Sequence, residues 1–139
     1  MVELNDKLWL QPSVSPDGKW IAGFYVEGPS GTQKYPDSIA VISSNGGQPS
    51  KVIPISPSVV TSAGLRWSAD GRQLTFVEHN DEGANIWSQP LDGSPAHQVT
   101  QLRGRALFSF DWSPEGRQIV LSQGVQSRDV VLIESTLSQ

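Results

Sequence analysis

Three stretches of the chain alternate apolar residues with polar or small residues at a period of two. Such alternation is typical of a β-strand that has one apolar face. Each stretch runs into a short turn sequence, which predicts that the chain reverses direction there and pairs with the residues that follow. The apolar positions are Leu10, Pro12 and Val14 in the first stretch, Ala63, Leu65 and Trp67 in the second, and Phe108, Phe110 and Trp112 in the third.

The three turn sequences are SPDG, SADG and SPEG. Pro at the second position fixes φ at about −65°, and the final Gly accepts backbone conformations that other residues avoid. Because Ser and Asp side chains hydrogen-bond to nearby amides, we interpret the recurring carboxylates as turn residues rather than as ligands of a cation. The turn residues are Ser15, Asp17 and Gly18, then Ser68, Asp70 and Gly71, and finally Ser113, Glu115 and Gly116.

Further strand-like segments follow each turn. The first of them is an almost continuous apolar run, which predicts a strand covered on both faces. Each unit is therefore predicted to be an antiparallel meander of four strands, except that the last unit lacks its fourth strand. The predicted strands are 20–26, 38–43 and 51–55, then 73–78, 85–89 and 97–102, and finally 118–122 and 129–134.

The units repeat at intervals of 53 and 45 residues, measured between Gly18, Gly71 and Gly116. Intervals of this size indicate a repeated supersecondary unit. A sheet that is apolar on both faces cannot bury them alone, so such units are stable only when they stack on one another. No segment has the i, i+3, i+4, i+7 apolar spacing of a helix, so helix content is expected to be close to nil.

The pattern W-S-P-D-G-x-x-I-A-F, followed by I-W-x-x-x-x-D-G and a V-T ending, resembles the TolB-like or WD-repeat-like β-propeller repeat. The resemblance covers residues 8–134 and departs in the first unit, where Val14 replaces Trp and the segment 27–36 contains an insertion. The C-terminal segment SRDVVLI is similar to the ends of some bacterial proteins that carry a propeller behind a serine/threonine kinase domain or a winged-helix domain.

This resemblance implies an all-β fold with three propeller blades, at about residues 8–55, 59–102 and 106–135, which is half of a six-bladed ring. It also implies that Val14, Trp67 and Trp112 are blade-core positions. Residues 1–5 are the candidate for a closing strand exchanged with another copy. We therefore expect either a homodimer that completes the ring or a parent chain that supplies the missing blades.

Composition places the chain among globular proteins of one domain. It has 139 residues, no Cys, a net charge of −4 and a pI of about 5.0. Nucleic acids and anionic membranes bind clustered Lys and Arg, so the acidic balance argues against both as partners. The N-terminus has no signal-peptide pattern and no apolar run reaches the length of a membrane span, so we expect a soluble chain of unknown compartment.

Few residues offer catalytic or metal-binding chemistry. Of the two histidines, His79 lies in a predicted acidic hairpin loop and His97 begins a predicted strand, whereas a zinc site usually needs three or four ligands. Without Cys there is no disulfide or thiolate site, and no G-x-S-x-G nucleophile motif is present. We therefore predict no enzyme activity, no cofactor and no metal site.

Three aromatic residues are candidates for contact with a partner. Trp9 and Trp20 are less constrained by the repeat than the other tryptophans, and Tyr35 lies in the long loop 28–37. Large aromatic side chains dominate binding hot spots, although core packing is the competing interpretation for both tryptophans.

The leading functional hypothesis is a non-catalytic propeller piece that serves as an interaction platform for a protein or peptide. One alternative is a ligand-sensing C-terminal module of a larger bacterial signalling protein, such as a serine/threonine kinase. Another is the gating propeller of a peptidase, or a propeller enzyme with a metal in its channel. A fragment excised from a larger ring is a further alternative. A propeller fold alone does not decide among them.

Overall fold

The computed structural model describes residues 9–26 and 35–125. The predicted strands at 1–5 and 129–134, and most of the long loop, lie outside the described residues. Within them the fold is all-β, as predicted, with ten strands and one short 3₁₀ helix, Thr61–Ala63. The strands are β1 (Trp9–Val14), β2 (Trp20–Tyr25), β3 (Ser38–Ser43), β4 (Lys51–Pro54), β5 (Arg66–Trp67), β6 (Gln73–Asn80), β7 (Gly83–Pro90), β8 (His97–Gln98), β9 (Ala106–Trp112) and β10 (Ile119–Gly124).

The strands form three antiparallel sheets in which neighbours along the chain are also neighbours in space. Sheet 1 contains β1 to β4, sheet 2 contains β5 to β8, and sheet 3 contains β9 and β10. The β6–β7 hairpin keeps one register from Gln73 opposite Pro90 to Asn80 opposite Gly83. The meander predicted for the first two units is therefore confirmed.

Buried apolar side chains pack sheet 1 against sheet 2 and sheet 2 against sheet 3. One buried cluster lies between sheets 1 and 2, and a second lies between sheets 2 and 3. The first cluster contains Ala22, Phe24, Ile39 and Val41 from sheet 1 with Leu65, Trp67, Leu74 and Phe76 from sheet 2. The second contains Ala63, Val77, Ala84 and Ile86 from sheet 2 with Leu107 and Phe110 from sheet 3.

Sheet 2 is covered on both faces because its side chains alternate along each strand. In β6, Leu74 and Phe76 pack against sheet 1, whereas Val77 packs against sheet 3. Both faces of β6 are therefore buried, which explains its continuous apolar run.

β10 does not follow the prediction of a strand covered on both faces. Ile119 and Leu121 pack on the cluster between sheets 2 and 3, but Val120 between them is 70% exposed. Among the described residues no sheet packs on the far side of sheet 3, so alternate residues of β10 face solvent.

Two segments form less regular strand than predicted. The stretch before β5 turns into the 3₁₀ helix because Gly64 has a φ of 94° and donates its N–H to the Thr61 carbonyl. β8 stops at Gln98, and beyond it the Asn85 carboxamide oxygen accepts the backbone N–H of Leu102 at 2.7 Å. Within residues 9–26 and 35–125, no helix is long and apolar enough to cross a membrane.

Candidate functional site

The three repeat turns share one backbone geometry. The amide of each final Gly donates to the carbonyl of the turn Ser, and the three glycines have φ values of 71°, 68° and 68°. In the first turn the Ser15 hydroxyl donates to the Asp17 carboxylate across 2.6 Å and accepts the backbone N–H five residues later. In the second turn Ser68 makes the same two bonds, with Asp70 at 2.5 Å. These side chains therefore stabilise the turns.

The acidic turn residues serve their own turns rather than a common site. The Ser15 hydroxyl is the main cause that lowers the pKa of Asp17 below its ordinary value, and a backbone N–H adds to it. Ser68 lowers the pKa of Asp70 in the same way. In the third turn Ser113 accepts backbone amides, and no hydrogen bond within the described residues reaches the carboxylate of Glu115. In that part of the chain no three His, Asp or Glu side chains lie close enough to share a metal ion.

The tryptophan that precedes each of the last two turns is hydrogen-bonded to the preceding sheet. Trp67 is 7% exposed, and its indole N–H donates to the backbone carbonyl of Ser13 at 2.9 Å. Trp112 is half-buried, and its indole N–H donates to the Thr75 hydroxyl at 3.0 Å. Each tryptophan thus connects its sheet to the one before it.

Val14 occupies the same repeat position in sheet 1 but is 60% exposed. Its partner across β1 and β2 is Ile21, whereas the neighbouring pair Ser13 and Ala22 faces sheet 2. Val14 therefore lies on the opposite face of sheet 1, where no described sheet packs. The prediction that Val14 is a blade-core residue does not hold within the described residues, because no described sheet covers this side of sheet 1.

We call this side of sheet 1 the front face, defined by Val14, Ile21 and Gly23. A side chain on Gly23 would place its Cβ 2.9 Å from Cε3 of Trp9. The Trp9 ring therefore covers Gly23 and also meets Tyr25 edge-on, with ring centroids 5.1 Å apart. The Trp9–Tyr25 pair therefore covers one end of the front face. The exposed apolar part of the front face lies around Val14 at the other end.

The opposite end of the stack, which we call the back face, is the side of sheet 3 that points away from sheet 2. It carries Val120 and its cross-strand partner Asp111, together with Phe108 at the bulge of β9. Val120 is 70% exposed and Phe108 is 51% exposed. The sequence patterns alone do not single out either residue.

A comparison of repeat positions would have found both. Phe108 stands eight residues before its turn glycine, as Ala63 does, and Val120 stands four residues after it, as Thr75 does. Ala63 and Thr75 are both buried between sheets 2 and 3. The back face thus exposes apolar residues at positions that are buried elsewhere in the stack.

Arg66 of sheet 2 and Asp111 of sheet 3 form an ion pair between these two sheets. The Arg66 guanidinium lies 3.5 Å from the Asp111 carboxylate and 5.9 Å from the centroid of the Phe110 ring. The Asp111 side chain is 72% exposed, so solvent screens this ion pair and its contribution to stability is small.

The three predicted partner contacts occupy different environments. Trp20 is 39% exposed and Tyr35 is 77% exposed. Trp9 is half-buried, and its indole nitrogen is enclosed without a hydrogen-bond partner among the described residues. A buried N–H without an acceptor is unfavourable by about 1–3 kcal/mol. Trp9 is therefore the least satisfied polar group of the front face.

A groove of about 430 Å³ follows the seam between sheets 2 and 3. Thr75, Ser88 and His97 line it from sheet 2, and Trp112 and Glu115 line it from sheet 3. His79 is elsewhere, exposed near the end of β6. The structure thus keeps the two histidines apart, and the groove contains one of them beside hydroxyl groups and an indole.

Comparisons with known proteins give the fold. No family model matches the sequence, and no curated protein matches it. The solved acylaminoacyl peptidase in complex with Z-Gly-Gly-Phe-chloromethyl ketone is similar with a TM-score of 0.57 at 20% identity, over 83% of this chain and 17% of that chain. The putative TolB from Agrobacterium tumefaciens is similar with a TM-score of 0.51 at 21% identity, over 83% of this chain and 53% of that chain.

The fold is a partial β-propeller. The three stacked antiparallel sheets correspond to propeller blades, as the repeat predicts. The chain spans about half of the TolB protein and a smaller share of the peptidase. At these identities the likeness extends to the fold and not to an activity.

Proposed function

We propose that this chain is a protein-binding propeller module whose contact surfaces are the front face of sheet 1 and the back face of sheet 3. The observation that carries the proposal is the exposure of Val14, Phe108 and Val120 at repeat positions that are buried elsewhere in the stack. Their repeat equivalents Trp67, Ala63 and Thr75 are all less than 10% exposed.

Burial of these side chains supplies the driving force for binding. Fully burying a Val or Phe side chain contributes about 1.5–3 kcal/mol. Exposed apolar groups that cluster on a surface otherwise rimmed by polar residues mark protein contact sites. The front and back faces offer such groups on flat sheets, so the partner they fit is another apolar sheet.

Solution association tests this function. Val14→Asp or Val120→Asp places a carboxylate on one of the faces, where burying it without a partner is strongly unfavourable. Both positions are exposed, so each variant is expected to retain its circular dichroism spectrum. We expect sedimentation velocity to show weaker association for these variants than for the wild type.

Val99→Asp is the matched control, because Val99 is 40% exposed but directly follows β8 of sheet 2, which has a neighbour on each side. It should associate like the wild type. If the wild type associates and Val14→Asp and Val120→Asp both sediment like it at every concentration, the association uses neither face and the proposal fails.

A second candidate function is that of a propeller that accompanies a hydrolase domain. It is favoured by the likeness to acylaminoacyl peptidase, of which this chain covers only 17%. On our proposal the chain itself carries no nucleophile for peptide chemistry. Incubation with Z-Gly-Gly-Phe-chloromethyl ketone should leave its intact mass unchanged, whereas stoichiometric labelling of one residue would make the chain an enzyme.

A further inference from the structure

We infer that the partner is a second copy of this chain, and that the back face of each copy packs on the front face of the other to close a ring of six sheets. This inference rests on the proposed function, because it requires both faces to be binding surfaces. It adds the identity of the partner and the register of the contact.

The two observed interfaces follow one rule. The indole of Trp67 reaches a cross-strand pair of sheet 1, Ser13 and Ala22, and bonds to the Ser13 carbonyl. The indole of Trp112 reaches the equivalent pair of sheet 2, in which Thr75 lies opposite Arg66, and bonds to the Thr75 hydroxyl. The residue four positions before the turn glycine thus contacts the same cross-strand pair of the preceding sheet each time.

This rule defines the contact of a third interface. The equivalent pair in sheet 3 is Asp111 and Val120, which lie opposite each other in β9 and β10. The residue four positions before the turn glycine of sheet 1 is Val14. Continuing the stack therefore places Val14 of one copy against Val120 of the other.

The chemistry of the two faces matches at this contact. Where the following sheet presents an indole N–H, the preceding sheet presents an oxygen acceptor, either the Ser13 carbonyl or the Thr75 hydroxyl. Val14 has no N–H to donate, and Val120 has no side-chain acceptor. Two apolar side chains therefore meet at this contact, and neither of them has a polar atom that needs a hydrogen-bond partner.

The sizes of the side chains also compensate. The front face has the small Val14 where sheets 2 and 3 have Trp67 and Trp112. The back face has the large Phe108 where sheet 2 has Ala63 and sheet 1 has Leu10. A small residue on one face and a large one on the other preserve the packing volume of the interface.

For a ring built only from copies of this chain, the number of sheets favours two copies. Propellers usually contain four to eight blades, and the described residues of one chain form three sheets. Two copies give six, which falls within that range, whereas three copies give nine. A twofold ring has two identical back-to-front interfaces and leaves neither face exposed.

Cross-linking tests the register directly, and the absence of cysteine from the chain makes it specific. Val14→Cys protein is mixed with Val120→Cys protein and treated with a short bis-maleimide. Stacked sheets lie about 10 Å apart, which a disulfide cannot bridge. We expect a covalent species of twice the 15.1 kDa chain mass from the mixture.

Each variant treated alone should stay uncross-linked, because Val14 faces Val120 rather than itself. A mixture of Val99→Cys and Val120→Cys should also give no product. Cross-linking of Val14→Cys with itself would indicate a front-to-front dimer and overturn the ring, although the proposed function would stand.

The remaining outcomes also separate the two proposals. If no mixture cross-links but Val14→Asp still weakens association, the faces bind protein in another arrangement, and only the ring is overturned. If no mixture cross-links and association is absent in the wild type, the ring and the proposed function both fall.

Discussion

Trp67 and Val14 stand at the same repeat position, yet one is 7% exposed and the other is 60% exposed. The turns that follow them have the same hydrogen bonds, and the strands around them have the same pairing. What differs is the neighbour, because sheet 1 covers Trp67 and no described sheet covers Val14. Burial in this fold is thus a property of the contact between sheets, and a repeat position becomes core only when the next sheet is present.

The largest expected effect comes from removing the covered member of this pair. Trp67→Ala should lower the free energy of unfolding by about 3–5 kcal/mol, because a large buried aromatic leaves a cavity. Val14→Ala should lower it by less than about 1 kcal/mol in the monomer, since the side chain is already exposed. Urea unfolding at one low protein concentration measures both.

The two variants must be compared under conditions that keep the chain monomeric, because association adds to apparent stability. Equal losses for Trp67→Ala and Val14→Ala would show that Val14 is covered in solution. That result would contradict the difference between the two faces.

A smaller effect is expected at the interface between sheets 2 and 3. Thr75→Val keeps the shape of a residue that is 1% exposed but removes the hydroxyl that accepts the Trp112 indole N–H. The loss should be about 1–3 kcal/mol, because the indole N–H keeps no acceptor. A double-mutant cycle with Trp112→Phe isolates this bond.

In that cycle Thr75→Val should lower the free energy of unfolding by less when Trp112 is already Phe, because no indole N–H then needs an acceptor. Additive losses would mean that the bond contributes nothing. The rule that assigns the register of the third interface would then lose one of its two observed examples.

The smallest effect is expected at the turns of sheets 1 and 2, which have the same side-chain hydrogen bonds. Hydroxyl and backbone hydrogen bonds lower the pKa of Asp17 and of Asp70. A carboxyl with a depressed folded-state pKa stabilises the fold above its unfolded pKa, ordinarily about 3.8. This stability is lost as the pH falls through the folded pKa.

We therefore expect Ser15→Ala and Ser68→Ala to raise the pKa of the adjacent Asp towards its ordinary value, as measured by carbon-13 NMR titration. Ser113→Ala is the control, because no described hydrogen bond joins Ser113 to Glu115. An unchanged Asp17 titration in Ser15→Ala would mean that the hydroxyl is not the main cause of the shift.

The sequence predicts the local features of this fold well. Turn chemistry at Ser15, Asp17 and Gly18 depends on residues within five positions, so a short pattern contains all of the information. The all-β meander follows for the same reason, because alternation and turn spacing are both local. The strand lengths are less accurate: the strand predicted at 97–102 is only His97–Gln98, and Leu102 bonds to the Asn85 side chain of the neighbouring strand instead.

A single repeat does not predict which residues of the front and back faces are exposed. Val14 matches the core pattern, and Val120 sits in a run typical of a fully covered strand, but both are exposed. Their exposure depends on which sheets stack against them. Aligning Val120 with Thr75, and Val14 with Trp67, reveals the matched pair, because only the repeat relates one interface to another.

The central claim is that the front and back faces complete each other in a second copy of the chain. The most direct test is the absolute mass of the wild-type chain in solution, by light scattering on a sizing column over a series of concentrations. The account predicts a species of twice the 15.1 kDa chain mass whose share grows as the protein concentration is raised. A well-folded species of 15.1 kDa at every concentration would contradict it.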